Sequence, residues 1–446
     1  MRFYLWKRRP YLKKGLYHFR GAGALEGMRM HLRVEDDGSG VLVVNASRVL
    51  FLNQTATMHV YLFMHGVSEE AAAEKISSLY EIDRGRALED HRKILYTVNT
   101  FAGTPDVCPV SYLGVEKIEP FKRGLSAPYR MDLAITYRCD NKCVHCYAGG
   151  PRETPELETA DWRRVIDKIY EIGIPHIVFT GGEPTLRSDL PDLVMHAEAR
   201  GLVTGLVTNG RRLKDASYLR QLIDAGLDHI QVTIESHDER IHDSITGVKG
   251  SWRETVEGLK NAITTPCYTI TNTTINSLNA GSMKETVSFL HSLGLKEFAC
   301  NGLIHAGKAP SVSGFWVAEG DLKGILAELK EHAASLGMDI VWYTPTQYCQ
   351  FNPLELELGI KSCSACRISM CIEPDGGVIP CQSYFERLGH ILDDDWAKIW
   401  NGKRCREIRE RATIPEKCVG CPDLDLCGGG CPLNVEGNAA VCRERH

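Results

Sequence analysis

Residues 131–146 read Met131-Asp132-Leu133-Ala134-Ile135-Thr136-Tyr137-Arg138-Cys139-Asp140-Asn141-Lys142-Cys143-Val144-His145-Cys146, a short apolar run that ends in a C-x3-C-x2-C loop. Three thiolates can hold three corners of a cubane [4Fe-4S] cluster and leave the fourth iron open for chemistry. A structural zinc site instead closes four ligands, usually as two C-x2-C pairs. This loop offers three cysteines at uneven spacing, with His145 as the nearby fourth candidate.

Further thiols follow near the C-terminus: Cys418-x2-Cys421-x5-Cys427-x3-Cys431 and then Cys442, with Cys363, Cys366 and Cys381 upstream. The chain of 446 residues carries 17 cysteines, an odd number, and no signal-peptide apolar segment. That usage points to metal ligation in a reducing compartment rather than a secreted disulfide scaffold, so a soluble, cytoplasmic protein is expected. No apolar run is long enough to span a bilayer. A net charge of −5 argues against a general nucleic-acid binder. With 43% apolar residues the chain can bury a large core, and its length calls for two or three domains.

Working outward from the loop, apolar or β-branched runs recur at residues 131–136, 176–180, 202–208, 229–234, 268–275 and 297–304, with helical patterns such as 161–172 and 253–263 between them. Six βα units in that rhythm imply a parallel α/β sheet. Gly181-Gly182-Glu183-Pro184 follows the second run, Thr208-Asn209-Gly210 the third and Thr233-Ile234-Glu235-Ser236 the fourth. Residues 104–127, with Pro105, Pro109, Pro120, Gly114 and Gly124, read as a linker.

Upstream of the linker, residues 31–34 and 40–44 flank the turn Asp36-Asp37-Gly38 as a β-hairpin. Asn53 then caps a helix through Phe63, Ser68 starts another toward Tyr80, and a third spans about residues 86–98. Residues 1–34 carry nine Lys or Arg against one acid, Glu26, with Phe3, Tyr4, Trp6, Tyr11, Tyr17 and Phe19 interleaved. Such a segment suits an acidic partner or a membrane surface, and equally a solvated face.

The cysteine loop followed by Gly-Gly-Glu-Pro resembles a radical S-adenosylmethionine (SAM) enzyme, and the C-terminal cysteine series resembles its SPASM extension. The strand-hairpin, Leu-x-Leu-Asn-x-Thr-Ala, helix, His-Gly-Val-Ser, helix order of the N-terminal part is similar to the winged-helix-like PqqD element that binds leader peptides. The resemblance implies four segments: a peptide-recognition domain over 1–103, the linker 104–127, a partial (β/α)6 TIM-like barrel over 128–345 and a SPASM domain over 346–446. It also places the chemistry at the C-terminal ends of the barrel strands.

Carried over residue by residue, the resemblance gives Cys139, Cys143 and Cys146 to the catalytic cluster. Gly181, Gly182, Glu183, Pro184, Asn209, Thr233 and Glu235 are then SAM contacts. Where many relatives carry an Arg-Gly pair, this chain has Thr246-Gly247, and Lys249 is a possible replacement for the missing cation. Asn279, Leu303 and Ile304 are further candidates. Cys363, Cys381 and Cys431 would hold auxiliary cluster I, with Cys366 as fourth ligand, Cys371 as its competitor and an open iron as a third possibility. Cys418, Cys421, Cys427 and Cys442 would hold auxiliary cluster II. Cys267, Cys300, Cys349 and Cys405 match no ligand position, and Cys108 reads as a free thiol.

The cofactors so implied are three [4Fe-4S] clusters and SAM, whose reductive cleavage gives a 5′-deoxyadenosyl radical that abstracts hydrogen from an unactivated carbon. A precursor peptide held by the N-terminal domain is the expected substrate, with net oxidation or a C–C, thioether or ether crosslink, and a flavodoxin- or ferredoxin-like electron donor as partner. Formylglycine formation is disfavoured, because those relatives place Asp where this chain has Gln382. A small-molecule or tetrapyrrole oxidoreductase is the alternative.

Overall fold

Short apolar runs that alternate with helical segments give, in the computed structural model, a ten-stranded sheet preceded by a separate four-stranded one. The structure describes residues 11–21, 25–103, 125–151, 154–312, 314–412 and 414–437. They divide into two compact units. The first is Met1–Arg130 with Asp167–His176 and Arg200–Val203, and the second is Met131–Ile166, Ile177–Ala199 and Thr204–His446.

In the first unit, strands β1 (Gly15–Arg20), β2 (Arg29–Val34), β3 (Gly40–Val44) and β4 (Arg48–Leu52) form an antiparallel sheet in sequence order. The expected hairpin is β2–β3, with Val34 opposite Gly40. Two strands were not expected. β1 lies inside the basic segment, where Leu16 turns into the interior and Tyr17 and Phe19 pack against it. β4 is cut short at Leu52 by the helix cap that follows. Arg33, counted in the basic segment, is buried: its guanidinium pairs with Glu35 at 2.9 Å and donates to the Pro128 carbonyl.

Helices Gln54–Met64, Glu69–Tyr80 and Arg84–Gly103 follow, the first two capped by the side chains of Asn53 and Ser68 as their sequence indicates. Between the first and third helices His59 and His91 are fully buried with their Nδ1 atoms 2.9 Å apart. Burial, and then the neighbouring His91, lowers the pKa of His59 to about 4, and burial lowers that of His91. Both rings are therefore neutral in the folded unit near pH 7.

In the second unit, β5 (Arg130–Thr136), β6 (His176–Gly181), β7 (Val203–Thr208), β8 (His229–Thr233), β9 (Tyr268–Ile275), β10 (Glu297–Gly302) and β11 (Asp339–Trp342) lie side by side in sequence order. Strands β7 to β11 pair in parallel. The first two read as unbroken apolar runs because helices cover parallel sheets on both faces, and β6 is buried along its whole length. Six of these strands were legible in the sequence; β11 was not. The sheet continues past β5 into β12 (Ser369–Ile372), β13 (Gly377–Ile379) and β14 (Gly389–His390), so the cysteine-rich region extends the barrel sheet beside the strand that leads to Cys139.

Among the described residues, no helix is long and apolar enough to cross a membrane. Residues 104–124, most of the expected linker, lie outside the described set, as do Cys108 and Cys442.

Candidate functional site

The three-cysteine loop leaves β5 and is fixed from several sides. Lys142 and Val144 donate their amides to the carbonyls of Thr246 and Ile245 at 2.8 and 2.9 Å. Arg211 donates to the Asp140 carbonyl at 2.7 Å and to Asn141 Oδ1 at 3.0 Å, and Asn209 Nδ2 donates to Asp140 Oδ1 at 2.6 Å. The loop after β10 closes the third side, where the Lys308 amide donates to the Cys146 carbonyl at 3.0 Å. The backbone at Thr246-Gly247, the point of departure from the Arg-Gly pattern, thus supports the cysteine loop; Lys249 is exposed. An amide also reaches a sulfur directly, Asn141 N to Cys139 Sγ at 3.4 Å.

The Gly-Gly-Glu-Pro segment approaches the same loop. A Cβ on Gly181 would lie 2.1 Å from the Thr136 carbonyl oxygen, and one on Gly182 would lie 2.3 Å from that of Arg138. The bare backbones allow Gly182 and Glu183 to donate to Thr136 and Arg138, both at 2.8 Å. The glycines were expected to admit a ligand; in the structure they also admit the chain that carries Cys139. Glu183 is 1% exposed, and its carboxylate accepts from Thr185 N, Thr185 Oγ1, Thr208 Oγ1 and Asn209 N. It ties the end of β6 to the end of β7. Burial raises its pKa, and the four hydrogen bonds act the other way.

Of the remaining candidates, Asn209 is engaged with Asp140 and with the Arg211 amide. Glu235 is buried, accepts from the Thr274 amide, and lies 3.3 Å from His145 Nε2; the His145 ring stacks on Phe315. Asn279 donates to the carbonyls of Glu235 and Thr274 and so shapes the loop after β9. Leu303 packs with Ile245, Ala309 and Phe315. The Thr233 hydroxyl has no partner among the described residues. Sequence reading missed Asn272 and Asn301, paired at 2.8 Å on adjacent strands; the Asn272 Oδ1 also has no partner as an acceptor.

The C-terminal thiols form two neighbourhoods. Cys363, Cys381 and Cys431 are electrostatic neighbours. Cys431 is delivered to them through Gly428, Gly429 and Gly430, all with φ between 70° and 83°, a left-handed run that only glycine sustains without strain. Cys366 is fully buried beside Cys381 and hydrogen-bonds the thiol of Cys405, a residue the spacing left without a role. Cys371 is also fully buried. It belongs to the hydrophobic cluster that Cys146 and Tyr147 pack against, with Cys381 as an electrostatic neighbour.

The second neighbourhood joins Cys418, Cys421 and Cys427 to Cys349, which the spacing had also set aside. The Tyr348 amide donates to Cys427 Sγ at 3.4 Å, and the Cys427 thiol donates to the Thr346 carbonyl at 3.5 Å. Asn434, likewise unforeseen, accepts from the His305 amide at 2.8 Å and so joins the segment after Cys431 to the loop after β10. Among the described residues no three such donors close onto a single metal ion. The thiol triads are neighbours by electrostatics and hydrogen bonding, and their all-sulfur donor sets suit iron–sulfur ligation.

Comparison with known proteins matches residues 133–290 to the radical SAM superfamily and residues 363–422 to the SPASM iron–sulfur cluster-binding domain. A PqqA peptide cyclase of Xanthomonas campestris pv. campestris (strain B100) is 29% identical over 335 residues, covering 70% of this chain and 85% of the relative. One from Xanthomonas oryzae pv. oryzae (strain MAFF 311018) is 28% identical, covering 70% and 86%. Among solved structures, Streptococcus suis SuiB bound to its precursor peptide SuiA superposes with a TM-score of 0.68 at 16% identity, covering 94% of this chain and 97% of that one. Native anSMEcpe with AdoMet and the Cp18Cys peptide gives a TM-score of 0.54 at 18% identity, covering 68% and 89%. At those identities the structural likeness is one of fold.

Proposed function

We propose that this chain, a radical SAM protein with a C-terminal SPASM iron–sulfur domain, modifies a precursor peptide by abstracting hydrogen from one of its residues, with net oxidation or crosslinking. The observation that carries the reading is the separate N-terminal sheet-and-helix unit, which hydrogen abstraction from a small molecule does not require. The sequence relatives named as PqqA peptide cyclases support a peptide substrate. The small-molecule alternative has no comparable support.

Cys139, Cys143 and Cys146 would hold the catalytic cluster. Cys363, Cys366, Cys381 and Cys431 would hold auxiliary cluster I, and Cys418, Cys421 and Cys427, with Cys442 or Cys349, would hold auxiliary cluster II. When bound, the first cluster and SAM supply a 5′-deoxyadenosyl radical. The chain's own contribution is positional: Arg211, Asn209, Thr246 and the loop after β10 fix the cysteine loop, and Glu183 fixes the ends of β6 and β7. Thr233 and Asn272 offer unspent polar groups to the nucleotide or substrate. Water exclusion falls to the strand ends and the loops over them.

For the peptide, β1 and β4 are the outer strands of the N-terminal sheet. The Leu16 carbonyl on β1 already accepts from Tyr170 at 3.2 Å, which favours β4 as the edge that takes an extended leader by strand addition. A flavodoxin- or ferredoxin-like protein would supply electrons in the cytoplasm.

The test is to incubate anaerobically reconstituted full-length protein, SAM and reductant with short peptides encoded beside its gene. Loss of two hydrogens from a peptide, with release of 5′-deoxyadenosine, is expected. Turnover of a small metabolite with no peptide altered would overturn the assignment.

A further inference from the structure

One face of the parallel sheet carries polar side chains that the cluster loop and the strand-end contacts leave unused. On β8, Val232 turns toward helix Ser251–Ile263, since a Cβ on Gly210 would meet both Val232 and Thr255 of that helix. On β10, a Cβ on Gly302 would meet Leu322 of helix Glu319–Ser335. Strand alternation therefore turns Gln231 and Thr233 of β8, and Asn301 of β10, to the opposite face. Thr233 pairs with Asn272 and Thr274 with Asn301, so β9 contributes Asn272 and Thr274 to the same face. Val232, Thr273 and Cys300 on the helix side are fully buried. Gln231, Thr233, Asn272 and Asn301 are half-buried, so their face is not packed shut.

The hydrogen bonds of this face run in one direction. Asn301 Nδ2 donates to the Gly302 carbonyl at 2.9 Å, an oxygen that can only accept. Asn301 Oδ1 is thereby turned to β9, where it accepts from Asn272 Nδ2 at 2.8 Å. Asn272 Oδ1 is then the last acceptor of the series, buried and without a donor among the described residues. Gln231 lies diagonally across from it, two residues further from the strand end than Thr233, and its side chain has no partner among the described residues. A buried acceptor without a donor is costly, and a ligand that brings an N–H relieves it.

The chemistry of the row selects its ligand. A carboxamide is uncharged and offers a donor and an acceptor, the same pair that a peptide bond offers. A carboxylate or an ammonium group would find no countercharge in Gln231, Asn272 or Asn301, whereas a peptide main chain finds its own functional group. The row also lies close to the cysteine loop. Glu235, two residues beyond Thr233, accepts from the Thr274 amide and lies 3.3 Å from His145 Nε2. Thr233 and Asn272 therefore stand about 6.6 Å, one two-residue strand repeat, from that contact.

We propose that Asn272, oriented by Asn301, accepts a main-chain N–H of the peptide beside the residue to be modified, and that Gln231 pairs with a further peptide group along the same chain. The inference rests on the peptide reading given under the proposed function. Asn272 and Gln231 fix the path of the peptide past the cysteine loop. Asn301 acts through Asn272 and is a positioning residue.

The experiment uses the reconstituted holoenzyme with the peptide encoded beside its gene, in two arms. With SAM and no reductant, hydrogen–deuterium exchange of the bound peptide should show a main-chain amide outside the leader slowed at least about tenfold, and Asn272→Ala should remove that protection. With reductant, single N-methylation of the peptide at that amide should lower modification at least about tenfold. Asn272→Ala should lower it comparably for the unmethylated peptide and add little for the methylated one, because both changes remove the same bond. Deoxyadenosine released per peptide modified should rise in the variant. Independent effects of N-methylation and Asn272→Ala would overturn the proposal, as would deoxyadenosine falling in step with product, the mark of a nucleotide contact. If Asn272→Ala loses stability, Gln231→Ala decides, since that side chain holds nothing else among the described residues; it should expose a second amide, and no change in any amide would overturn the proposal. Wild-type protein that alters no peptide removes the peptide reading and this inference with it, and wild-type turnover thus separates the two failures.

Discussion

Around Cys139 and Cys143 the nearby charges are the carboxylates of Asp140, Glu183 and Glu235; around Cys363 they are the guanidiniums of Arg367 and Arg411. The side chains are thiols in both places, and the charged groups around them differ in sign. The two regions also differ in construction. The loop cysteines are close in sequence, on a segment held by backbone bonds from the end of β6, from the helix end at Ile245-Thr246 and from the loop after β10, whereas Cys363, Cys381 and Cys431 arrive from three separate segments.

The largest test of the division removes the loop side. Replacing Cys139, Cys143 and Cys146 by Ala should reduce 5′-deoxyadenosine release to the uncatalysed background while C-terminal iron is retained, as measured by chromatography and iron analysis. Parallel loss of iron from both regions would show that they are not independent.

Gly182→Ala comes next. Its Cβ would meet the carbonyl oxygens of Arg138 at 2.3 Å and Tyr137 at 2.8 Å, backbone atoms that cannot swing aside. We expect a loss of roughly 1–3 kcal/mol of stability by overpacking, and a deoxyadenosine yield that falls more steeply than auxiliary-cluster content.

Acidification tests whether peptide capture separates from both thiol regions. His59 and His91 have pKa values below their unfolded values, so their neutral burial stabilises the first unit fully above about pH 6.5. That contribution is lost as the pH falls toward the folded value of about 4 for His59, on the order of 3 kcal/mol for that shift. Binding of the modified peptide, followed by fluorescence anisotropy, should weaken across this window. His59→Phe should flatten the dependence.

The smallest expected effects distinguish the two candidate fourth ligands of auxiliary cluster I. Cys366→Ala should alter the auxiliary EPR signal or lower the iron count. Cys371→Ala, in a buried apolar setting, should leave iron intact and cost about 1–2 kcal/mol in packing, read as a lower denaturation midpoint. The opposite pattern would move the ligand to Cys371.

Much of this arrangement was legible because it depends on near neighbours in the chain. The cysteine loop, the capped helices after Asn53 and Ser68, and six parallel strands follow from spacing, capping and periodicity, whereas the Gly-Gly-Glu-Pro segment and the barrel were read through the family resemblance. β1 was missed because its apolar residues lie among lysines and arginines that drew the reading toward a charged face. β11 was missed because only four residues pair, two of them half-buried. The Glu183 hub was invisible because its donors Thr208 and Asn209 stand on another strand.

The sequence by itself determined that Cys139, Cys143 and Cys146, with three and two residues between them, share one loop and stay within reach of one another wherever that loop is placed. Only the tertiary structure decided which distant groups meet them: Cys405 and Arg409 at Cys366, Cys349 at Cys418, and arginines on one side with carboxylates on the other. Covalent spacing limits reach over a few residues, whereas encounters between residues tens or hundreds of positions apart are set by how sheet and helices pack.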